Sequence, residues 1–174
     1  DEEETMKVLV AYHSVTGNTE KLARAIYDAL PEDKEIKPIK DIQGPIAYDL
    51  VFCGFPVQAH SVPRIPAEFI KSLPAGQNVA FFYTHGSLRG GQLPRQALEH
   101  AVGLAVKARI LGQFGCRGRV SEKVMEALSG KPEHQAWVEE ALGAMEHPDA
   151  NDLEDGKNFT AEILVKFRDK KKGV

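Results

Sequence analysis

Short apolar runs alternate with helical periodicities along most of the chain. Val8-Leu9-Val10-Ala11-Tyr12 has the length and β-branching of a strand. Leu22, Ala23, Ala25, Ile26, Ala29 and Leu30 then recur at helical spacing up to Pro31. A weaker run, Ile36 to Ile39, contains Pro38. Proline offers no ladder donor, so this strand is expected at a sheet edge. Leu50-Val51-Phe52-Cys53-Gly54 is apolar throughout, as a strand covered on both faces should be, and a helical face of Ile65, Phe69, Ile70 and Leu73 follows it. Val79-Ala80-Phe81-Phe82-Tyr83 reads as a fourth strand, and Leu93, Ala97, Leu98, Ala101 and Val102 as the next helix. Ile110 to Phe114, interrupted by Gly112, reads as a fifth strand. The alternation predicts an α/β fold, a doubly wound five-stranded parallel sheet with helices on both faces.

Residues 115–150 break the rhythm. They hold two short helical patterns, one around Val124, Met125 and Leu128, the other with Val138, Leu142 and Met145, separated by Gly130 and Pro132. The stretch reads as an insertion between the fifth strand and a last helix. That helix is expected to begin near Asn151 and to carry Phe159, Ile163, Leu164 and Phe167 on one face. It ends in Lys170-Lys171-Lys172, which suits the negative end of a helix dipole. Ahead of the first strand, residues 1–6 read as an acidic extension, with ordered structure starting at Met6. Residues 1–174 thus read as a single domain.

Composition narrows the classes. With 174 residues, 43% of them apolar and 27% charged, the chain can bury one ordinary core. A net charge of −3 argues against a nucleic-acid partner. No apolar run approaches the roughly 20 residues of a membrane span. No basic stretch leads into an apolar one, so a cytoplasmic protein is expected. Cys53 and Cys116 cannot build a disulfide scaffold. The six histidines are scattered, and His134 and His147 stand at no ligand spacing, so no metal site is expected.

The candidate chemistry lies in the first strand-to-helix turn, His13-Ser14-Val15-Thr16-Gly17-Asn18-Thr19. Three hydroxyls and a glycine meet a helix N-terminus, where unpaired N–H groups and the helix dipole favour an anion. The turn holds no lysine or arginine, and neither G-K-[ST] nor G-x-G-x-x-G is present. One phosphate monoester is the ligand these residues suit. An ordinary turn with Asn18 or Thr19 as helix cap would use the same residues without a ligand.

Ser14-Val15-Thr16-Gly17-Asn18-Thr19 resembles the [ST]-x-T-G-N-T phosphate loop of the flavodoxins, placed directly after the first strand as in that family. The resemblance extends over strands one to five and the last helix, leaving residues 115–150 uncovered. It implies the strand order 2-1-3-4-5 and FMN as cofactor, with Ser14, Val15, Thr16, Gly17, Asn18 and Thr19 around the phosphate. It also implies that the loops after strands three and four hold the flavin ring. Those loops offer Pro56, Val57, Gln58 and His60 on one side and Thr84, His85, Gly86, Arg89 and Gly91 on the other. The stacking Trp and Tyr common in the family are absent from both, and the only tryptophan, Trp137, lies in the insertion. Phe55, His60, His85 and Leu88 are the candidates for ring contact, and Arg89 is the candidate charge beside the ring. No general base or nucleophile is evident, so no catalytic residue is assigned. The resemblance implies an FMN protein that carries electrons between redox partner proteins. One alternative is an FMN-dependent NAD(P)H:quinone-type reductase, which would use a small electron acceptor. Another is a regulatory domain of this fold without cofactor.

Overall fold

Five strands form one all-parallel sheet: β1 (Val8–Tyr12), β2 (Lys34–Pro38), β3 (Leu50–Pro56), β4 (Asn78–His85) and β5 (Arg109–Arg117), in the order β2-β1-β3-β4-β5. Among the described residues six α-helices accompany them: α1 (Asn18–Ala29), α2 (Arg64–Lys71), α3 (Gln92–Leu104), α4 (Glu122–Ser129), α5 (Gln135–Gly143) and α6 (Ala150–Lys172). The computed structural model describes residues 6–44, 46–58, 61–86 and 91–172, apart from the side chains of Glu140 and of residues 170–172.

Strand alternation sends successive side chains to opposite faces, and each face has its own core. Val8, Val10, Phe52, Ala80 and Phe82 pack with Leu22 and Ile26 of α1 and with Phe159, Ile163 and Phe167 of α6. Leu9, Ala11, Val51, Phe55, Val79 and Phe81 pack with Phe69 and Ile70 of α2 and with Ala97 and Ala101 of α3. Burial on both sides explains why the central strands read as unbroken apolar runs. Pro38 sits in the edge strand β2, opposite Tyr12, as its missing donor requires. Winding reverses between β1 and β3, which opens a crevice beyond their carboxyl ends.

β5 is longer than the expected Ile110 to Phe114. It continues to Arg117 because β4 runs on to His85 and pairs with it, Thr84 opposite Cys116 and His85 opposite Arg117. Gly112, which makes β5 look broken in sequence, and Gly115, beyond the strand's expected end, are slots for neighbours. A Cβ on Gly115 would lie 2.1 Å from the Tyr83 ring, and one on Gly112 would lie 2.8 Å from Ile163 Cδ1. The register also shifts here, since Val79 pairs with Ile110 and Ala80 with Gly112, so Leu111 bulges. The segment between β5 and α6 therefore spans 118–149 instead of 115–150. Its apolar residues are mostly unburied; Val138, Ala141 and Ala144 go inside while Trp137 stays 53% exposed, stacked on His134.

α6 begins one residue before the expected Asn151. Its start is fixed by reciprocal capping, the Asp152 N–H donating to Asp149 Oδ1 and the Asp149 N–H to Asp152 Oδ2, each at 2.9 Å. Among the described residues no helix is long and apolar enough to cross a membrane.

The aromatic slots yield a direct test. A Cβ on Gly54 would lie 2.0 Å from the Phe82 ring, in the middle of the sheet. Gly54→Ala is expected to lower the unfolding free energy by about 2 to 3 kcal/mol in urea titration. Gly130→Ala, where nothing lies within 4 Å of the added carbon, should change it by less than about 0.5 kcal/mol.

Candidate functional site

β1 ends at Tyr12 and α1 starts at Asn18, so the turn between them opens into the switch-point crevice. The His13 N–H donates to the Gly54 carbonyl at 3.0 Å, pinning the turn to β3. Gly17 is the residue before the helix, with φ 93° and ψ −8°. Nothing lies within 4 Å of a Cβ built there, so the demand for glycine is one of backbone conformation alone. Ser14 performs the capping. Its Oγ accepts from the N–H of Gly17 at 3.1 Å and of Glu20 at 3.3 Å.

Four amides remain. Among the described residues, nothing accepts from the backbone N–H of Val15, Thr16, Asn18 or Thr19. Successive unpaired donors at a helix N-terminus form an anion-binding concavity, reinforced by the dipole. The loop's hydroxyls divide the work. Ser14 caps, Thr19 is buried with its Oγ1 2.9 Å from the equally buried Thr84 Oγ1, and Thr16 is exposed. The Thr19–Thr84 contact fastens the 14–19 turn to the end of β4. Glu20, an acid in the first turn, is turned aside: its Oε1 accepts from Tyr12 Oη and from Arg24 Nη2, each at 3.0 Å. The Tyr12 hydrogen bond first, and the Arg24 hydrogen bond next, hold its carboxyl below the usual carboxylate range.

The loops beyond β3 and β4 flank this cradle. The Val57 N–H donates to the Thr84 carbonyl at 2.8 Å, and Gln58 and Ser61 exchange two backbone hydrogen bonds. The Val62 N–H donates to His100 Nδ1 of α3 at 3.1 Å, which anchors the far end of the same loop. Gln58 is exposed, whereas Pro56, Val57 and Gly86 are half-buried and Gly91 is the residue before α3. His60, Leu88 and Arg89 lie outside the described residues. Phe55 is not a ring contact. β3 continues past it to Pro56, and strand alternation sends its side chain into the core, where it stacks on Tyr83 at 6.0 Å and meets the edge of Phe81. His85 is buried against Tyr83.

One wall of the site escaped the sequence reading. Asn18 Nδ2 donates to the Arg119 carbonyl at 2.7 Å, across 101 residues of chain. A Cβ on Gly118 would lie 2.7 Å from Asn18 Nδ2, and the Gly118 N–H donates to the His85 carbonyl at 2.8 Å. A Cβ on Gly86 would likewise strike Val120 at 2.5 Å. The start of the 118–149 segment thus closes against both the 14–19 turn and the end of β4. Isolated glycines after a strand are the only trace of this in the sequence. Away from the site, His147, Asp149 and Asp152 bring metal-ligand atoms within 4.8 Å of one another, but both carboxylates are engaged in capping α6. Burial pushes the Cys53 thiol up, which leaves it unreactive in the core.

His13 introduces a pH dependence. Burial, with help from the positive charge of Lys40, holds its imidazole below the ordinary value of 6.5. Unfolding releases it to that value, so the unfolded chain binds more protons in the window just below pH 6.5. This contribution to stability is whole above that pH and is lost as pH falls through the folded value. Urea titrations at about pH 7.5 and 5.5 are expected to show a smaller difference for His13→Asn than for the wild type. Identical differences would contradict this assignment.

Comparison with known proteins bears on the whole arrangement. A family described as flavodoxin domain matches residues 9–161, a span that runs from β1 through the 118–149 segment into α6. The flavodoxin-like domain-containing protein BilS of Clostridioides difficile strain CD3 is 29% identical over 174 residues, covering 92% of this chain and 98% of that protein. The structure of oxidised flavodoxin 2 from Bacillus cereus aligns with a TM-score of 0.62 at 18% identity, covering 92% of this chain and 99% of the other. A flavoprotein from Lactobacillus acidophilus NCFM, solved in complex with FMN, aligns with a TM-score of 0.50 at 21% identity, over 64% of this chain and 93% of that one. The strand order, the helices on both faces and the family match agree: this chain belongs to the flavodoxin domain family.

Proposed function

We propose that this protein binds FMN by its phosphate at the 14–19 loop and transfers electrons between redox partner proteins. The observation that carries the reading is the set of four unpaired amides, Val15, Thr16, Asn18 and Thr19, at a helix N-terminus on the switch point of the sheet. These donors, with the Thr16 hydroxyl, suit one phosphate monoester. Family membership and the FMN complex of the Lactobacillus flavoprotein support the same cofactor. The ring would rest between Pro56, Val57 and Gln58 on one side and Thr84, Gly86 and Gly91 on the other. When bound, FMN supplies one- and two-electron redox chemistry.

The chain's own residues then have limited tasks. Gly17 and Ser14 hold the turn open, and the Thr19–Thr84 pair joins the phosphate end of the site to the ring end. Tyr12 and Arg24 keep the Glu20 carboxylate away from the incoming phosphate. None of these groups needs to gain or lose a proton, which suits a carrier.

A second reading, an FMN-dependent NAD(P)H:quinone-type reductase, has one observation in its favour. Neither ring loop carries a Trp or Tyr, Phe55 is committed to the core, and His85 is buried against Tyr83. A ring face without an aromatic cover is open to a small acceptor. NAD(P)H consumption in the presence of a quinone separates the two readings: sustained turnover supports the reductase, and its absence with electron delivery to a protein acceptor supports the carrier.

Titration by flavin fluorescence tests the cofactor assignment. FMN is expected to bind on the order of a hundredfold more tightly than riboflavin, which lacks the phosphate. Thr16→Ala should weaken FMN by about tenfold. Equal affinity for the two flavins would overturn the reading.

A further inference from the structure

The 14–19 loop has a deficit that its neighbour can fill. A phosphate monoester carries about −1.5 to −2 charge at neutral pH. A helix N-terminus offers the equivalent of roughly half a positive charge. The loop itself contains no lysine or arginine, and its serine and buried threonine are engaged with Gly17, Glu20 and Thr84. The amide cradle is therefore rich in donors and poor in charge.

We propose that Arg119, carried to the phosphate loop by the segment that follows β5, supplies the cation for the ligand's phosphate. This rests on the reading that the phosphate seats at the start of α1. The backbone of Arg119 is fixed at both polar groups: its carbonyl accepts from Asn18 Nδ2 at 2.7 Å, and its N–H donates to the His147 carbonyl at 2.9 Å. Gly118, packed on the Asn18 side chain, permits that close approach. Residue 119 is thereby held beside the first residue of α1, one of the four with an unpaired amide. Its side chain is exposed, and among the described residues the guanidinium has no carboxylate or carbonyl partner.

The other cations nearby are placed differently. Arg24 is paired with Glu20, Arg117 donates to the Gly143 carbonyl, and Lys40 acts on His13. Lys21 shares the first turns of α1, so it measures the effect of general charge. An arginine fork matches phosphate oxygens in a way that a distant lysine cannot, and its long stem gives it the reach.

The test compares FMN with riboflavin. Arg119→Ala retains the backbone carbonyl that binds Asn18, so the strap survives the substitution. The variant is expected to lose about five- to tenfold in affinity for FMN and none for riboflavin. Its FMN affinity should also depend less on salt. Arg119→Lys should recover part of the loss. FMN affinity unchanged in Arg119→Ala overturns the assignment, as does a parallel loss for both flavins, which would mark a structural role. Equal losses from Lys21→Ala and Arg119→Ala would overturn it too, reducing the effect to net charge. A wild-type protein that fails to prefer FMN contradicts the phosphate seat itself; preference for FMN with an indifferent Arg119→Ala contradicts the arginine alone.

Discussion

The functional account depends on backbone amides left without partners where β1 gives way to α1. A buried helix start would have to satisfy those groups with its own side chains. Here the serine that could have saturated the turn satisfies only two donors, and among the described residues the amides of Val15, Thr16, Asn18 and Thr19 have no acceptor. Gly17 makes the geometry available by taking a left-handed backbone conformation, and the His13 N–H bond to Gly54 keeps the turn registered against β3. The site is thus a property of main-chain direction, set by the parallel sheet, more than of any one side chain.

The rest of the fold holds that junction still. β1 is buried on both faces and paired on both edges, so its carboxyl end cannot wander. Aromatic rings fill slots left by glycines on neighbouring strands, Phe82 over Gly54 and Tyr83 over Gly115, which ties β3, β4 and β5 together just below the crevice. Thr19 and Thr84 carry the link upward from sheet to loop. Residues 117–119, the last of β5 and the two that follow it, then connect the same loop to the α4–α5 segment through backbone hydrogen bonds and the Arg117 guanidinium.

Much of this was legible in the sequence. Continuous apolar runs announced the buried strands and Pro38 announced the edge, because each reflects a local rule. The misreadings came from contacts between distant residues. Gly112 looked like an interruption of β5 and Gly115 like the start of the insertion, since nothing nearby in sequence reveals the Ile163 and Tyr83 side chains that occupy their space. Phe55 looked available to a ring because the sequence does not show how far β3 extends, and one residue decides which face it meets. The hydrogen bond from Asn18 to Arg119 left no trace in the sequence beyond the glycine next to it, Gly118.

The central claim is that the amides of Val15, Thr16, Asn18 and Thr19 receive the phosphate of a flavin mononucleotide. Proton–nitrogen correlation spectra of the isotope-labelled protein, recorded while FMN is added, observe those four groups individually. The account predicts that their resonances move downfield as hydrogen bonds to an anion form, and that riboflavin leaves them in place. Resonances that stay fixed while FMN binds elsewhere on the protein would contradict it.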